Sequence, residues 1–215
     1  MKLKQLLSGM AQRHTNHQET ALFFRQAFRL LHFNKIEGDY AEFGCLQYRT
    51  FPMAWRAIQA QPIERELWGI GKFSSITEPQ TAKDLHPRWQ SDTPVISAAA
   101  FRRRCRWSRI PLKILHLIQA DLSKLEESVA MPDTIALAWI NGQPYSDISA
   151  VLHWLEPKLT VGMILAFEHY YCWSRFESSG ARNAFRALQR LRPDLNFIEF
   201  RRFGLAGVAF LIEDA

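Results

Sequence analysis

The sequence predicts an α/β fold: a doubly wound, mostly parallel sheet of Rossmann-like type that ends in an antiparallel hairpin. Two observations carry this. Apolar runs rich in β-branched and aromatic residues alternate with segments of helical period, the rhythm of parallel β-α units. The tail FIEFRRFGLAGVAFLIED (197–214) holds two strand-like runs joined through Gly204 and Gly207, too short a connection for a crossover.

Taken in order, a helix is expected over 20–33, where Leu22, Phe23, Ala27, Leu30 and Leu31 recur at three- and four-residue spacing. YAEFGCL (40–46) is the first strand, and a helix follows over 52–60. ELWGIGKF (66–73) is the second strand, a helix covers 95–107, and LKILHLIQ (112–119) is the third strand. TIALAWIN (134–141) is the fourth, followed by a helix over 145–156 that Ser146 or Asp147 can cap. VGMILAFE (161–168) is the fifth. A helix over 178–192, with Ala184, Leu188 and Leu191 as its inward stripe, ends before Pro193. The most loop-like stretch, 77–94, is expected to act as a flap. A chain of 215 residues needs only one core, so residues 1–36 are expected to form a helical segment leading into a single α/β domain over 37–215.

Composition narrows the function classes. At 47% hydrophobic and 22% charged the chain is of ordinary globular type, and no apolar run approaches the roughly 18–20 residues of a membrane span. The first 18 residues lack a signal-peptide h-region. Cys45, Cys105 and Cys172 are odd in number and widely spaced, which indicates neither a disulfide framework nor a zinc site; a reducing cytoplasm is expected. The net charge of +6 raises the prior for an anionic partner. Much of the excess lies in FRRRCRWSR (101–109), expected to be a solvated helix face rather than a nucleic-acid site, since no RNA-binding module accompanies it.

Four strings, in order, carry a resemblance to a known family. GDYAEFGCLQYRTF (38–51) is similar to G-D-x-x-E-x-G-V-x-x-G-G-S, with Gly38, Asp39, Glu42, Gly44 and Thr50 on pattern. GKFSSITEP (71–79) is similar to D-S-F-x-G-L-P-E-P, keeping Phe73, Glu78 and Pro79 but with Gly71 in place of the aspartate. WINGQPYSDISAVLHWLEPKLTVGMI (139–164) is similar to H-I-D-x-D-L-Y followed by a helix, a proline and a glycine-led strand. AFEHYY (166–171) has Glu168 and His169 where an aspartate pair belongs, with Tyr170 retained. Together these resemble the class I S-adenosylmethionine-dependent methyltransferases of the macrocin O-methyltransferase (TylF-like) type, over about residues 38–170.

The resemblance implies a cofactor lying across the carboxyl ends of the parallel strands, at the switch point of strand order. It places Glu42, Gly44, Tyr48, Gly71 and Asp121 at that cofactor. Glu42 either lies near the methionine amino group or is an acid satisfied by neighbouring groups. Tyr48 and Arg49 stand where glycines let the backbone approach the cofactor. Gly71 cannot accept hydrogen bonds from the ribose hydroxyls as a carboxylate does, and Lys72 beside it offers only donors. Asp121 lies near the adenine or caps a helix that begins at Leu122. The family's Mg²⁺ carboxylates correspond to Asn141, Gln143, Glu168 and His169, so a site built from Asn141 and Glu168 would be weak. His169 can instead serve as a general base. Trp139 and Tyr170 either line a pocket or pack in the core.

Two functions follow as expectations. One is a methyltransferase-like protein with weak or lost S-adenosylmethionine binding, acting as a binding or partner protein for a small molecule or another protein. The other is an active O-methyltransferase acting on a small-molecule hydroxyl, such as that of a sugar or natural product. Nucleic-acid binding or RNA methylation ranks behind both. The sequence is compatible with a homo-oligomer and leaves the partner open.

Overall fold

In the computed structural model, residues 2–45, 47–76, 78, 82–84, 95–125, 131–142, 144–171 and 179–215 are described, with side chains from His14 onward except that of Ala82. The strands are β1 (Asp39–Phe43), β2 (Leu67–Gly71), β3 (Leu115–Gln119), β4 (Ile135–Ile140), β5 (Ile164–Phe167), β6 (Leu195–Phe203) and β7 (Gly207–Asp214). The helices are α1 (Lys2–Phe33), α2 (Phe51–Gln59), α3 (Ala98–Trp107), α4 (Tyr145–Leu155) and α5 (Gly180–Leu191). The sheet order is β3-β2-β1-β4-β5-β7-β6. β1 to β5 are parallel, and β7 runs antiparallel between β5 and β6. The doubly wound sheet and its closing hairpin are as the sequence predicts.

Side chains alternate across the sheet and so feed two cores. Tyr40 and Trp139 join Phe23, Phe24, Phe28 and Leu31 of α1, with α2 and α3, on one face. Ala41, Phe43, Ala138 and Ile140 join α4 and α5 on the other. All six residues of β4 are buried, which is why its sequence is an unbroken apolar run. Trp139 lies against Phe203, ring centres 4.9 Å apart, and belongs to the core rather than to a pocket wall. Tyr170 packs on Phe167, Phe185 and Phe210.

Four expectations are corrected. The first helix begins at Lys2 rather than near residue 20, because its stripe of Leu22, Phe23, Ala27, Leu30 and Leu31 is preceded by Leu3, Leu6, Leu7 and Met10 at the same three- and four-residue spacing. The third strand begins at Leu115, because Leu112–Ile114 form a 3-10 turn after Pro111. Neither Ser146 nor Asp147 is the N-cap of α4. Pro144 holds that position, and the buried Asp84 accepts from the Ser146 N–H at 2.8 Å, a cap supplied from a distant part of the chain. Leu191, expected on the buried stripe of α5, is exposed, while Phe185 is buried in its stead. Of the expected flap over 77–94, only 78 and 82–84 are described.

Two residues of the first string serve the fold. Gly38 has φ +110°, and a Cβ there would lie 2.8 Å from the Ala136 nitrogen. The Asp39 carboxylate accepts from the Glu66 N–H and the Trp68 indole at 2.9 and 3.0 Å, fastening the start of β1 to β2.

Candidate functional site

Strand order reverses between β1 and β4, so the crevice opens where Gly44 and Asn141 leave those strands. The two exits are in close contact. The Asn141 N–H donates to the Phe43 carbonyl at 2.8 Å, and its side-chain amide donates to the Gly44 carbonyl at 3.2 Å. Gly44 has φ +94°, and a Cβ there would lie 2.9 Å from the Asn141 carbonyl oxygen, so only glycine fits.

Glu42 faces the α1–α2 side of β1 and is fully buried. The hydroxyls of Tyr40 and Thr50 both donate to its Oε2 at 2.7 Å, while Oε1 has no partner among the described residues. Burial pushes the carboxyl up to about 7, against the lowering effect of the two hydroxyls. Its Oε2 is satisfied by neighbours, while Oε1 is buried without a hydrogen-bond partner among the described residues, the Cys45 thiol lying close by.

The β2–β3 side of the crevice is built differently. A Cβ on Gly71 would lie 3.2 Å from the Cys45 nitrogen, because the segment after β1 lies tightly over the end of β2. The Lys72 ammonium is 3.0 Å from an Asp121 carboxylate oxygen, joining the ends of β2 and β3. Asp121 also accepts from the Ser123 N–H at 3.2 Å and the Ser123 hydroxyl at 2.8 Å, capping the single turn Leu122–Lys124. Those hydrogen bonds and the lysine hold its carboxyl below the usual range despite some burial. Its acceptors therefore already have donors.

Tyr48 turns away from the strand ends onto α3, its ring edge-on to Phe101 at 5.0 Å. Its hydroxyl lies beside Ser108 and Cys105, and burial raises its pKa well above the ordinary phenol value. Arg49 points the other way, 62% exposed, and its guanidinium donates to Glu168 at 3.0 Å.

That ion pair decides the fit to Mg²⁺. A guanidinium on Glu168 neutralises the one carboxylate available, and Asn141 spends its amide N–H₂ on a backbone carbonyl. Among the described residues no three His, Cys, Asp or Glu side chains gather where they could hold a metal ion, and Gln143 lies outside those residues. The residues present do not fit the metal. At the ends of β2 and β3, Gly71 has no side chain to accept a hydrogen bond and the Asp121 carboxylate is already paired.

Glu168 and His169 line a cavity of about 710 Å³. Its other walls are Asn16, His17 and Thr20 of α1, the segment around Arg49, and the β6–β7 turn from Phe203 to Gly207. Sequence reasoning missed this contribution of α1 and the hairpin. The polar side of α1 was a signal only in retrospect, since nothing in its spacing shows that it borders the strand ends.

Neither a family model nor a curated protein sequence matches the chain. Solved structures do. The O-methyltransferase NovP superposes with a TM-score of 0.70 at 20% identity, over 90% of this chain and 79% of that one. The calicheamicin methyltransferase CalS11 superposes with a TM-score of 0.63 at 20% identity, over 89% and 77%. The strand order with its terminal hairpin and these likenesses agree: the chain has the fold of the class I S-adenosylmethionine-dependent methyltransferases.

Proposed function

We propose that this chain is a divergent relative of the macrocin O-methyltransferase (TylF-like) type that has lost, or largely lost, S-adenosylmethionine binding. It serves instead as a binding or partner protein of the cytoplasm. The family assignment rests on the four ordered strings and on the shared fold. The functional reading rests on one observation above all: Gly71 stands where the resembled family has the acid for a ribose diol, and Asp121 at the end of the neighbouring β3 is already paired with Lys72. Two charge-assisted hydrogen bonds lost there are worth about 3–6 kcal/mol together, enough to move micromolar binding to about the millimolar range or beyond. The cavity at Glu168 and His169 is then the binding site for a small molecule or a partner segment.

A second reading is favoured by a specific feature, the open Oε1 of Glu42. A buried carboxylate oxygen without a donor is a suitable acceptor for the ammonium of a methionine moiety. With His169 in the adjoining cavity, this supports an active O-methyltransferase on a small-molecule hydroxyl, whose rate would depend on positioning more than on acid–base chemistry. Thermal-shift measurements with S-adenosylmethionine and S-adenosylhomocysteine, each with and without Mg²⁺, separate the two. The proposal expects no shift with any combination; a saturable stabilisation by either nucleoside favours the enzyme.

A further inference from the structure

We propose that the carboxyl-terminal half of α3 and the turn after it form a binding surface for single-stranded nucleic acid. This departs from the sequence expectation of an idle solvated face, and what changes the assessment is the placement of charge and of one tryptophan.

The chain has 27 Lys and Arg against 21 Asp and Glu. Residues 98–113 hold Arg102, Arg103, Arg104, Arg106, Arg109 and Lys113 with no acid, so this one stretch contributes +6 and the rest of the chain is balanced at 21 of each sign. All six side chains are exposed, and none is in an ion pair with a described carboxylate. A cluster of one sign with no counter-charge produces a local potential of several kT, which attracts a polyanion.

Helical geometry orders the cluster. Phe101 and Cys105 anchor α3 in the core. Arg102, Arg106, Arg103 and Trp107 then fan in that angular order over the outward face. Trp107 is 74% exposed, with the Arg103 guanidinium 5.7 Å from its ring centre. Two basic residues in a last turn are accounted for by the helix dipole, and Arg104 and Arg106 fill that role. The dipole accounts neither for the other four cations nor for an indole left in water. Cationic side chains that follow a phosphate chain, beside an aromatic ring on which a base stacks, are the chemistry of single-strand binding.

A lipid surface fits less well. Apart from Trp107, only the borderline-exposed Leu112 offers apolar area in this stretch, so there is no apolar face to insert. The chain reaches α3 from the end of β2 and leaves it toward the start of β3, and Tyr48 meets the inward side of the helix and the turn at Ser108, while the arginines and Trp107 lie on the exposed side.

The test is fluorescence anisotropy with a labelled single-stranded RNA of about 20 nucleotides, its duplex, and phosphatidylserine vesicles. With about four phosphates neutralised, affinity for the single strand should fall about 50-fold between roughly 50 and 200 mM salt. The variant Arg102→Ala/Arg103→Ala/Arg106→Ala should lower the slope of log K against log salt by about two. Trp107→Ala should weaken the single strand about tenfold and the duplex little, and Trp107→Phe should restore it. All these positions are exposed, and an unchanged circular dichroism spectrum and thermal midpoint verify folding. Absence of binding at low salt, binding indifferent to the triple variant, equal loss on single strand and duplex, or a preference for vesicles overturns the proposal.

Discussion

The two ends of the crevice are built differently. At the β1–β4 exits the parts of a ligand site persist: Gly44 in its positive-φ turn, the Asn141 contact, and a buried acid with one oxygen open. At the β2–β3 exits β2 ends in Gly71 rather than an acid, the segment after β1 lies close over it, and Lys72 and Asp121 satisfy each other. The difference teaches that backbone geometry and ligand chemistry are separable constraints. Gly44 is required by the fold whatever the site binds, whereas the fold does not dictate a carboxylate at the end of β2.

Substitutions sharpen the contrast. The largest effect is expected for Gly44→Ala, which meets both a positive φ and a backbone oxygen at 2.9 Å and should cost about 4 kcal/mol in urea unfolding. Gly71→Ala, whose added Cβ has only to displace the Cys45 nitrogen by a few tenths of an ångström, should cost about 1 kcal/mol. Equal costs would show that the two exits are not differently constrained.

Next comes Glu42. Its folded pKa of about 7 lies above the unfolded value, so between the two the native state holds a proton that the unfolded chain has released. Stability is therefore fully present below the unfolded value and is lost as pH rises through about 7, by roughly 3 kcal/mol in total. Glu42→Gln should flatten this dependence between about pH 4.5 and 7, read from thermal midpoints. An unaltered pH profile would mean that the acid is ionised throughout, as a ligand-ready group would be.

The smallest effect belongs to the nucleoside side. Asp121→Ala removes a partly exposed ion pair and a cap on a single turn, and should cost about 0.5–1 kcal/mol, less at high salt. A large loss would make the pair a structural necessity rather than a replacement for a ligand.

Most of the fold was legible because buried parallel strands leave unbroken apolar runs; the all-buried β4 is the clearest case. Boundaries were less so. Leu112–Ile114 have strand-like side chains but follow Pro111 into a turn, and the cap of α4 comes from Asp84, which no local pattern can reveal. At the site, residue types could be read, including Gly71 where the resembled family has an acid. Pairings could not. That Arg49 reaches Glu168 across 119 residues, and that Thr50 and Tyr40 converge on one oxygen of Glu42, are consequences of the sheet's order and not of sequence spacing.

Calorimetric titration of S-adenosylmethionine and S-adenosylhomocysteine into the chain, alongside Gly71→Asp, tests the central claim most directly. Weak or absent binding up to about millimolar ligand in the parent chain is the predicted result, with any gain appearing only in Gly71→Asp. A micromolar Kd for the parent chain would contradict the account.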